Sequence, residues 1–294
     1  MTERRNLVDV PWLAGHLDDP SVVIVDCRFE LAKPEAGRAA YGEAHIPGAA
    51  YLDLAHDLSG PKQAHGGRHP LPDRDAFCRT LSALGIDGTV TVAAYDAPQA
   101  GVTPAARLWW MLRYLGHDRV FVLDGGWPAW LAAGQPTSRE APSRAARRFV
   151  AHPRAELAVD VNHVRRIAAE GGAHLVDSRA PERYRGEVEP LDPAAGHIPG
   201  AMNLPWTEIL DAQGRLKPRA VLANRFGGLG GEVVVYCGSG VTACANILAM
   251  DEAGLPDARL YLGSWSDWCS YSDNPVASAE TDAERSTRDK ERKG

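Results

Sequence analysis

Val233-Val234-Val235-Tyr236-Cys237-Gly238-Ser239-Gly240-Val241-Thr242-Ala243 carries a strand, a turn and a helix start in one short stretch. The β-branched run predicts a buried strand that ends at Tyr236. Two glycines turn the chain. The apolar positions Ala245, Ile247, Leu248 and Met250 predict a helix behind the turn. Cys237 falls at the turn itself. Backbone N–H groups at a helix start lack intrahelical partners and carry partial positive charge. A thiolate there is stabilised, so its pKa can fall below the free value of about 8.5. Gly238 and Gly240 let the backbone curl around the sulfur, and Ser239 and Thr242 add hydroxyl donors. The stretch predicts a cradle for an anionic sulfur.

Working outward, the same pattern occurs twice. Val22-Val23-Ile24-Val25-Asp26 with Arg28 matches Leu175-Val176-Asp177 with Arg179, and His45-Ile46-Pro47-Gly48-Ala49 recurs as His197-Ile198-Pro199-Gly200-Ala201. Val92-Ala93-Ala94-Tyr95 matches Val233–Tyr236, and Gly101-Val102-Thr103 matches Gly240-Val241-Thr242. Leu123-Asp124-Gly125-Gly126-Trp127 with Trp130 echoes Tyr261-Leu262-Gly263-Ser264-Trp265 with Trp268. The order is kept throughout, so the chain holds two copies of one domain. In each copy β-branched runs alternate with helical patterns, which predicts an α/β fold: a parallel sheet with helices on both faces. Ligands of such sheets sit beyond the C-terminal ends of the strands, where Cys237 lies. The expected division is a domain over residues 1–137, a Pro-, Ala- and Arg-rich linker over 138–157, and a second domain over 158–278. A charged tail over 279–294 is expected to be disordered.

The copies differ at the decisive position. Alignment places Asp96 where Cys237 sits, in a loop two residues longer, Asp96 to Thr103. Aspartate is no sulfur nucleophile, so the second copy carries the chemistry and the first supplies part of the cleft wall. Features common to both copies, Asp26 with Arg28, Asp177 with Arg179, and the turn histidines His45 and His197, are expected to be structural.

The 294 residues carry a formal net charge of −6, with 45% hydrophobic and 24% charged residues. That balance fits a soluble globular protein and argues against a nucleic-acid partner. No run reaches the ~20 apolar residues of a membrane helix. Leu108-Trp109-Trp110-Met111-Leu112, bounded by Arg107 and Arg113, reads as a buried helix segment. Five cysteines without a CxxC pair point to free thiols in a reducing, cytoplasmic setting, with neither a disulfide framework nor a zinc site. No metal or other cofactor is implied, and the N-terminus is not a secretory signal. Gly227-Gly228-Leu229-Gly230-Gly231 precedes a strand and reads as a connector.

The loop Cys237-Gly238-Ser239-Gly240-Val241-Thr242 resembles the active loop of rhodanese-type sulfurtransferases, and the resemblance extends over almost the whole chain as two tandem rhodanese-like domains. It implies that Cys237 takes a sulfane sulfur from a small donor as a persulfide and passes it to a thiol or cyanide. Within the family the mercaptopyruvate enzymes are the nearest in pattern. Their likeness implies that Arg183 binds the donor, while their second substrate arginine falls near Leu191; either Arg185 or an arginine of the first copy replaces it, or the substrate preference differs. It also implies a Ser–His–Asp relay from Ser239 and His69. The expected aspartate position is Ala55, with Asp53 and Asp57 close by in sequence. Gly238, Gly240, Val241 and Thr242 complete the expected donor-binding loop. Thiosulfate specialists place basic residues inside this loop; Gly238 and Ser239 are neutral, which favours 3-mercaptopyruvate over thiosulfate. A persulfide relay to a protein acceptor is the alternative outside enzymology. A phosphatase of related build is disfavoured, because Ala243 stands where its phosphate-binding arginine would close the loop.

Overall fold

Strands whose side chains are buried on both faces form the centre of each half. The computed structural model describes residues 6–97 and 103–279. The Gly101-Val102 part of the internal match and the charged tail beyond Ala279 lie outside the described residues.

The first half runs β1 (Leu7–Val8), α1 (Val10–Ala14), β2 (Val22–Asp26), α2 (Ala36–Glu43), β3 (Ala50–Tyr51), α3 (Arg74–Ala83), β4 (Thr91–Tyr95), α4 (Pro104–Tyr114), β5 (Val120–Leu123) and α5 (Gly126–Ala132). The second runs β6 (Ala158–Val159), α6 (Val161–Glu170), β7 (His174–Asp177), α7 (Pro181–Tyr184), β8 (Met202–Asn203), α8 (Arg219–Phe226), β9 (Val233–Tyr236), α9 (Ala243–Ala253), β10 (Arg259–Tyr261) and α10 (Ser264–Trp268). Each half forms a five-stranded sheet, ordered β1-β5-β4-β2-β3 and β6-β10-β9-β7-β8. All these pairings are parallel.

The repeated residues do the same work twice. Asp26 pairs in register with Tyr95, and Asp177 with Tyr236. Each aspartate holds the arginine two positions on, at 2.6 Å in both halves, and each arginine stacks on a tryptophan, Arg28 on Trp127 and Arg179 on Trp265. The tyrosine hydroxyls accept the Ile46 and Ile198 N–H groups of the two turns at 3.2 Å. His45 and His197 bond to the carbonyls of Tyr41 and Tyr184. A buried bidentate pair satisfied on all sides orients strand end against turn.

Each sheet is covered on both faces. Its outer face packs α1 and α5, or α6 and α10, in a separate cluster. The inner faces share one continuous core that includes α3, α4, α8 and α9. Pro104 to Leu112 of α4 are buried, and so is every residue of α9. A helix buried on all sides has no face for water, and these two pack against each other across the boundary. Polar ties cross beside them: Glu252 Oε1 accepts the Asn6 N–H at 2.6 Å, and Arg113 pairs with Asp251. The linker follows the first half, with Phe149 buried and Arg154 paired to Asp118. Among the described residues no helix is long and apolar enough to cross a membrane.

Asp96 is buried, and its Oδ2 accepts the Ala105 N–H at 3.0 Å at the start of α4. Burial pushes this carboxyl up to about 7, opposed by the Ala105 bond and assisted by Asp26. A carboxyl that holds its proton more tightly when folded adds stability at low pH and loses it as pH rises through about 7. Asp96→Asn keeps the acceptor and never ionises. It is expected to stabilise the protein by roughly 2–4 kcal/mol at pH 8 and by little at pH 4. Urea melts at the two pH values check this; equal shifts at both would contradict it.

Candidate active site

β9 delivers Cys237 to the C-terminal edge of its sheet, and α9 begins at Ala243. Between them the chain curls over the sulfur, and the Gly240 N–H donates to Cys237 Sγ at 3.2 Å. Gly240 holds φ +76°, and a Cβ there would stand 2.5 Å from the Leu262 carbonyl oxygen, so the turn requires glycine. The turn from β10 into α10 grips the same loop. Ser264 Oγ accepts the Cys237 N–H at 3.2 Å, the Cys237 carbonyl accepts from Trp265, and the Gly238 carbonyl accepts from Ser266. Ser264 sits at φ +56°, a left-handed conformation costing about 1–3 kcal/mol for a non-glycine residue. Gly126 holds the matching place in the first half, also at φ +56°. What the serine adds is its hydroxyl, anchored on the Tyr261 carbonyl at 3.0 Å.

Cys237, 2% exposed, lies in the wall of a cavity of about 170 Å³. Gly238, Ser239, Val241 and Thr242 line it from the second half, and Arg68 and His69 enter from the first. The entering loop is clamped on α10: the Gly66 N–H donates to Asp267 Oδ1 at 2.7 Å and the Arg68 N–H to Ser266 Oγ at 3.0 Å. His69 Nδ1 is hydrogen bonded to Ser239 Oγ at 2.7 Å. Burial, then the charges of Arg107 and Arg68, push the His69 pKa down to about 4, so the imidazole is neutral at pH 7.

The acid of the expected relay is not there. Asp53 Oδ1 accepts the Ala55 and His56 N–H groups, and Asp57 Oδ2 accepts the Asp53 N–H. Both carboxylates are committed to their own turn. Among the described residues no carboxylate is bonded to His69, so Ser239 and His69 stand as a pair flanked by cations.

Arg183 lines the cavity from α7. Its Nη2 donates to Glu189 Oε1 at 2.6 Å and to Asp192 Oδ2 at 3.2 Å. Arg185 does not reach the cavity. It follows the short helix α7 on the outside, 44% exposed in its side chain, and pairs with Glu187 at 2.6 Å. The expectation that Arg185 replaces the second family arginine is therefore corrected. Leu191, where that arginine was expected, is 43% exposed at the rim.

Two further cations belong to the site. Arg68 Nη1 pairs with Asp192 Oδ1, the oxygen that Arg183 leaves free. Arg107, fully buried on α4, donates from Nη1 to the Gly240 carbonyl at 2.8 Å and from Nη2 to the His69 carbonyl at 3.0 Å. It ties the Cys237 loop to the His69 loop. The available signal was a charge bordering the apolar run Leu108–Leu112, since arginine is almost never fully buried without partners. Cys244, on α9, is fully buried and donates to the Gly240 carbonyl at 3.4 Å. Burial pushes its thiol up to about 12. Among the described residues no cluster of three or more His, Cys, Asp or Glu side chains is placed to hold a metal ion.

Comparison with known proteins bears on this geometry. Residues 9–133 and 160–271 each match the family described as rhodanese-like domain. The chain is 43% identical over 281 residues to a probable 3-mercaptopyruvate sulfurtransferase of Pseudomonas aeruginosa, covering 93% of this chain and 98% of that protein. It is 40% identical over 279 residues to a putative thiosulfate sulfurtransferase, SseB, of Mycobacterium tuberculosis, covering 92% and 96%. The crystal structure of SseA from Escherichia coli, described as a 3-mercaptopyruvate sulfotransferase, superposes with a TM-score of 0.76 at 34% identity, covering 88% of this chain and 98% of that one.

Proposed function

The chain belongs to the rhodanese family, and on that premise we propose that it moves a sulfane sulfur from 3-mercaptopyruvate to a thiol or cyanide through a persulfide on Cys237. The observation that carries this reading is the sulfur itself: Cys237 Sγ, wrapped by its own loop with the Gly240 N–H upon it, in the wall of a cavity that Arg183 also lines.

The thiolate attacks the donor sulfur. The S–S bond forms as the donor C–S bond breaks, and that bonding pair leaves with carbon as the enolate of pyruvate. No oxidant is needed. The thiol proton of the donor ends on its own carbon, and neutral His69, acting through Ser239 Oγ, is placed to take it and return it. The acceptor then attacks the outer sulfur, the S–S bond breaks, and Cys237 is released as thiolate. Two displacements through a covalent enzyme give ping-pong kinetics. In this reading residues 158–278 carry the chemistry, while 1–137 contribute Arg68, His69 and Arg107. Free cysteines at all five positions favour a reducing, cytoplasmic setting.

A second reading takes thiosulfate as donor. Arg68 favours it, because a guanidinium stands against the neutral Gly238 and supplies the cation that the loop sequence lacks. Steady-state assays with each donor and cyanide separate the two. The expected result is a kcat/KM at least about tenfold higher for 3-mercaptopyruvate, the worth of one well-placed charged contact. A preference for thiosulfate reverses the assignment.

A further inference from the structure

Two guanidinium groups from different halves meet over the catalytic loop. A Cβ on Gly238 would stand 2.8 Å from Arg68 Nη2 and 3.4 Å from Arg183 Nη1. A side chain there would press on the Arg68 guanidinium and touch that of Arg183, one position from the sulfur. The same two groups grip one carboxylate, Asp192, with Arg68 on Oδ1 and Arg183 on Oδ2. The side chain of Asp192 is 2% exposed. The spacing of the two guanidiniums is thus that of the two oxygens of a single carboxyl group.

We propose that Arg68 and Arg183 form a two-arginine fork that holds the carboxylate of the sulfur donor, so that the donor-binding site is shared between the halves. The proposal rests on the donor reading given above and adds the residue that fixes the donor's orientation. Planar guanidinium donors match carboxylate oxygens two by two, and this geometry gives orientation as well as affinity. The fork is preorganised. The Arg68 backbone is fixed to Ser266, and the preceding loop is held by Asp267 and Ser270 of the catalytic half. Arg183 is braced by Glu189. Asp192 keeps the two like charges together when no donor is bound. Leu191 at the rim then needs no charge, because Arg68 provides the second cation from the first half.

The test is Arg68→Gln in the full chain, assayed with 3-mercaptopyruvate and cyanide. Loss of one charge-assisted contact is expected to raise KM for 3-mercaptopyruvate about ten- to hundredfold. At saturation kcat is expected to stay within about threefold, because the fork binds donor and transition state alike. A purely structural arginine would lower kcat and the melting temperature together and leave the KM split absent. Arg68→Lys keeps the charge and the Asp192 pair but not the planar fork. It is expected to raise KM about fivefold, and it serves as the probe should the glutamine variant not fold. Pyruvate, a carboxylate with no transferable sulfur, provides an arm independent of the donor assignment. Its inhibition constant in the thiosulfate–cyanide assay is expected to rise in parallel in Arg68→Gln. A parent that prefers thiosulfate would overturn the donor reading alone. An unchanged KM or pyruvate inhibition constant in a folded variant, or a parent that pyruvate does not inhibit, would overturn the fork.

Discussion

Cys237→Ser is expected to abolish sulfur transfer, with a loss of at least about 10⁴-fold in thiocyanate formation from either donor. The serine hydroxyl is far less acidic than a thiol, and oxygen in this place carries no transferable sulfur. The loop holds its shape without the sulfur atom, since Ser264, Trp265 and Ser266 bind backbone atoms of positions 237 and 238. The variant therefore tests chemistry in an intact fold. No second thiol can take over. Cys244 lies on the same loop carbonyl, but burial keeps it protonated, with its thiol pushed up to about 12. Mass spectrometry gives the companion result. Donor-treated parent protein, with no acceptor present, is expected to gain about 32 Da on the peptide that contains Cys237, one sulfur atom on its thiolate. The serine variant is expected to gain nothing. Turnover in the variant, or an adduct at another cysteine, would end the persulfide assignment.

The second large effect is expected at Arg107, which touches neither the sulfur nor the donor. Its two Nη atoms satisfy the carbonyls of Gly240 and His69, which come from different halves. Arg107→Leu keeps the apolar surroundings and leaves both carbonyls without that donor. Each orphaned buried acceptor costs about 1–3 kcal/mol, partly offset because a buried charge is removed. A net loss on the order of 3 kcal/mol is expected, or roughly 4–6 °C in melting temperature for a chain of 294 residues. Activity is expected to fall further than stability, by about a hundredfold. The Gly240 carbonyl belongs to the residue whose N–H lies on Cys237 Sγ, and the His69 carbonyl to the residue bonded to Ser239. A misplacement of about 1 Å in such a constellation can cost two orders of magnitude. Arg107→Lys, which keeps the charge but reaches only one carbonyl, is expected to lie between. Calorimetry with the thiocyanate assay reads both quantities, and a leucine variant with parental melting and turnover would remove Arg107 from the machinery.

What the sequence made legible was whatever repeats or has a period. The triple valine before Cys237, the paired acid and arginine at the ends of β2 and β7, and the two His-Ile-Pro-Gly-Ala turns made both halves and the strand–turn–helix around Cys237 legible. The edge strands did not show, because Leu7–Val8, Ala50–Tyr51, Ala158–Val159 and Met202–Asn203 are two residues each and carry no alternation. The helices Val10–Ala14, Ala36–Glu43 and Pro181–Tyr184 were missed for the same reason: they are short and hold few buried residues. His69 and Ser239, 170 positions apart, came together as the resemblance implied. Arg68 and Arg107 were illegible as site residues, because Asp192 and Gly240, which they bind, lie in the other half of the chain. Arg185 misled by adjacency: two positions along from Arg183 is enough to turn a side chain from the cavity to the solvent.

The contact of α4 with α9 has a consequence for how the molecule can be divided. These are the matching helices of the two copies, so each meets its own counterpart, as subunits do across a two-fold interface. Severed within 138–157, neither piece would be a finished product. Each would present to water a helix buried along nearly its whole length, and the piece with Cys237 would lack the guanidiniums and imidazole that its sister lends. The tether converts what would otherwise be an obligate heterodimer into a concentration-independent unit. The half with Asp96 where the other has Cys237 would thereby remain an indispensable part of its own chain.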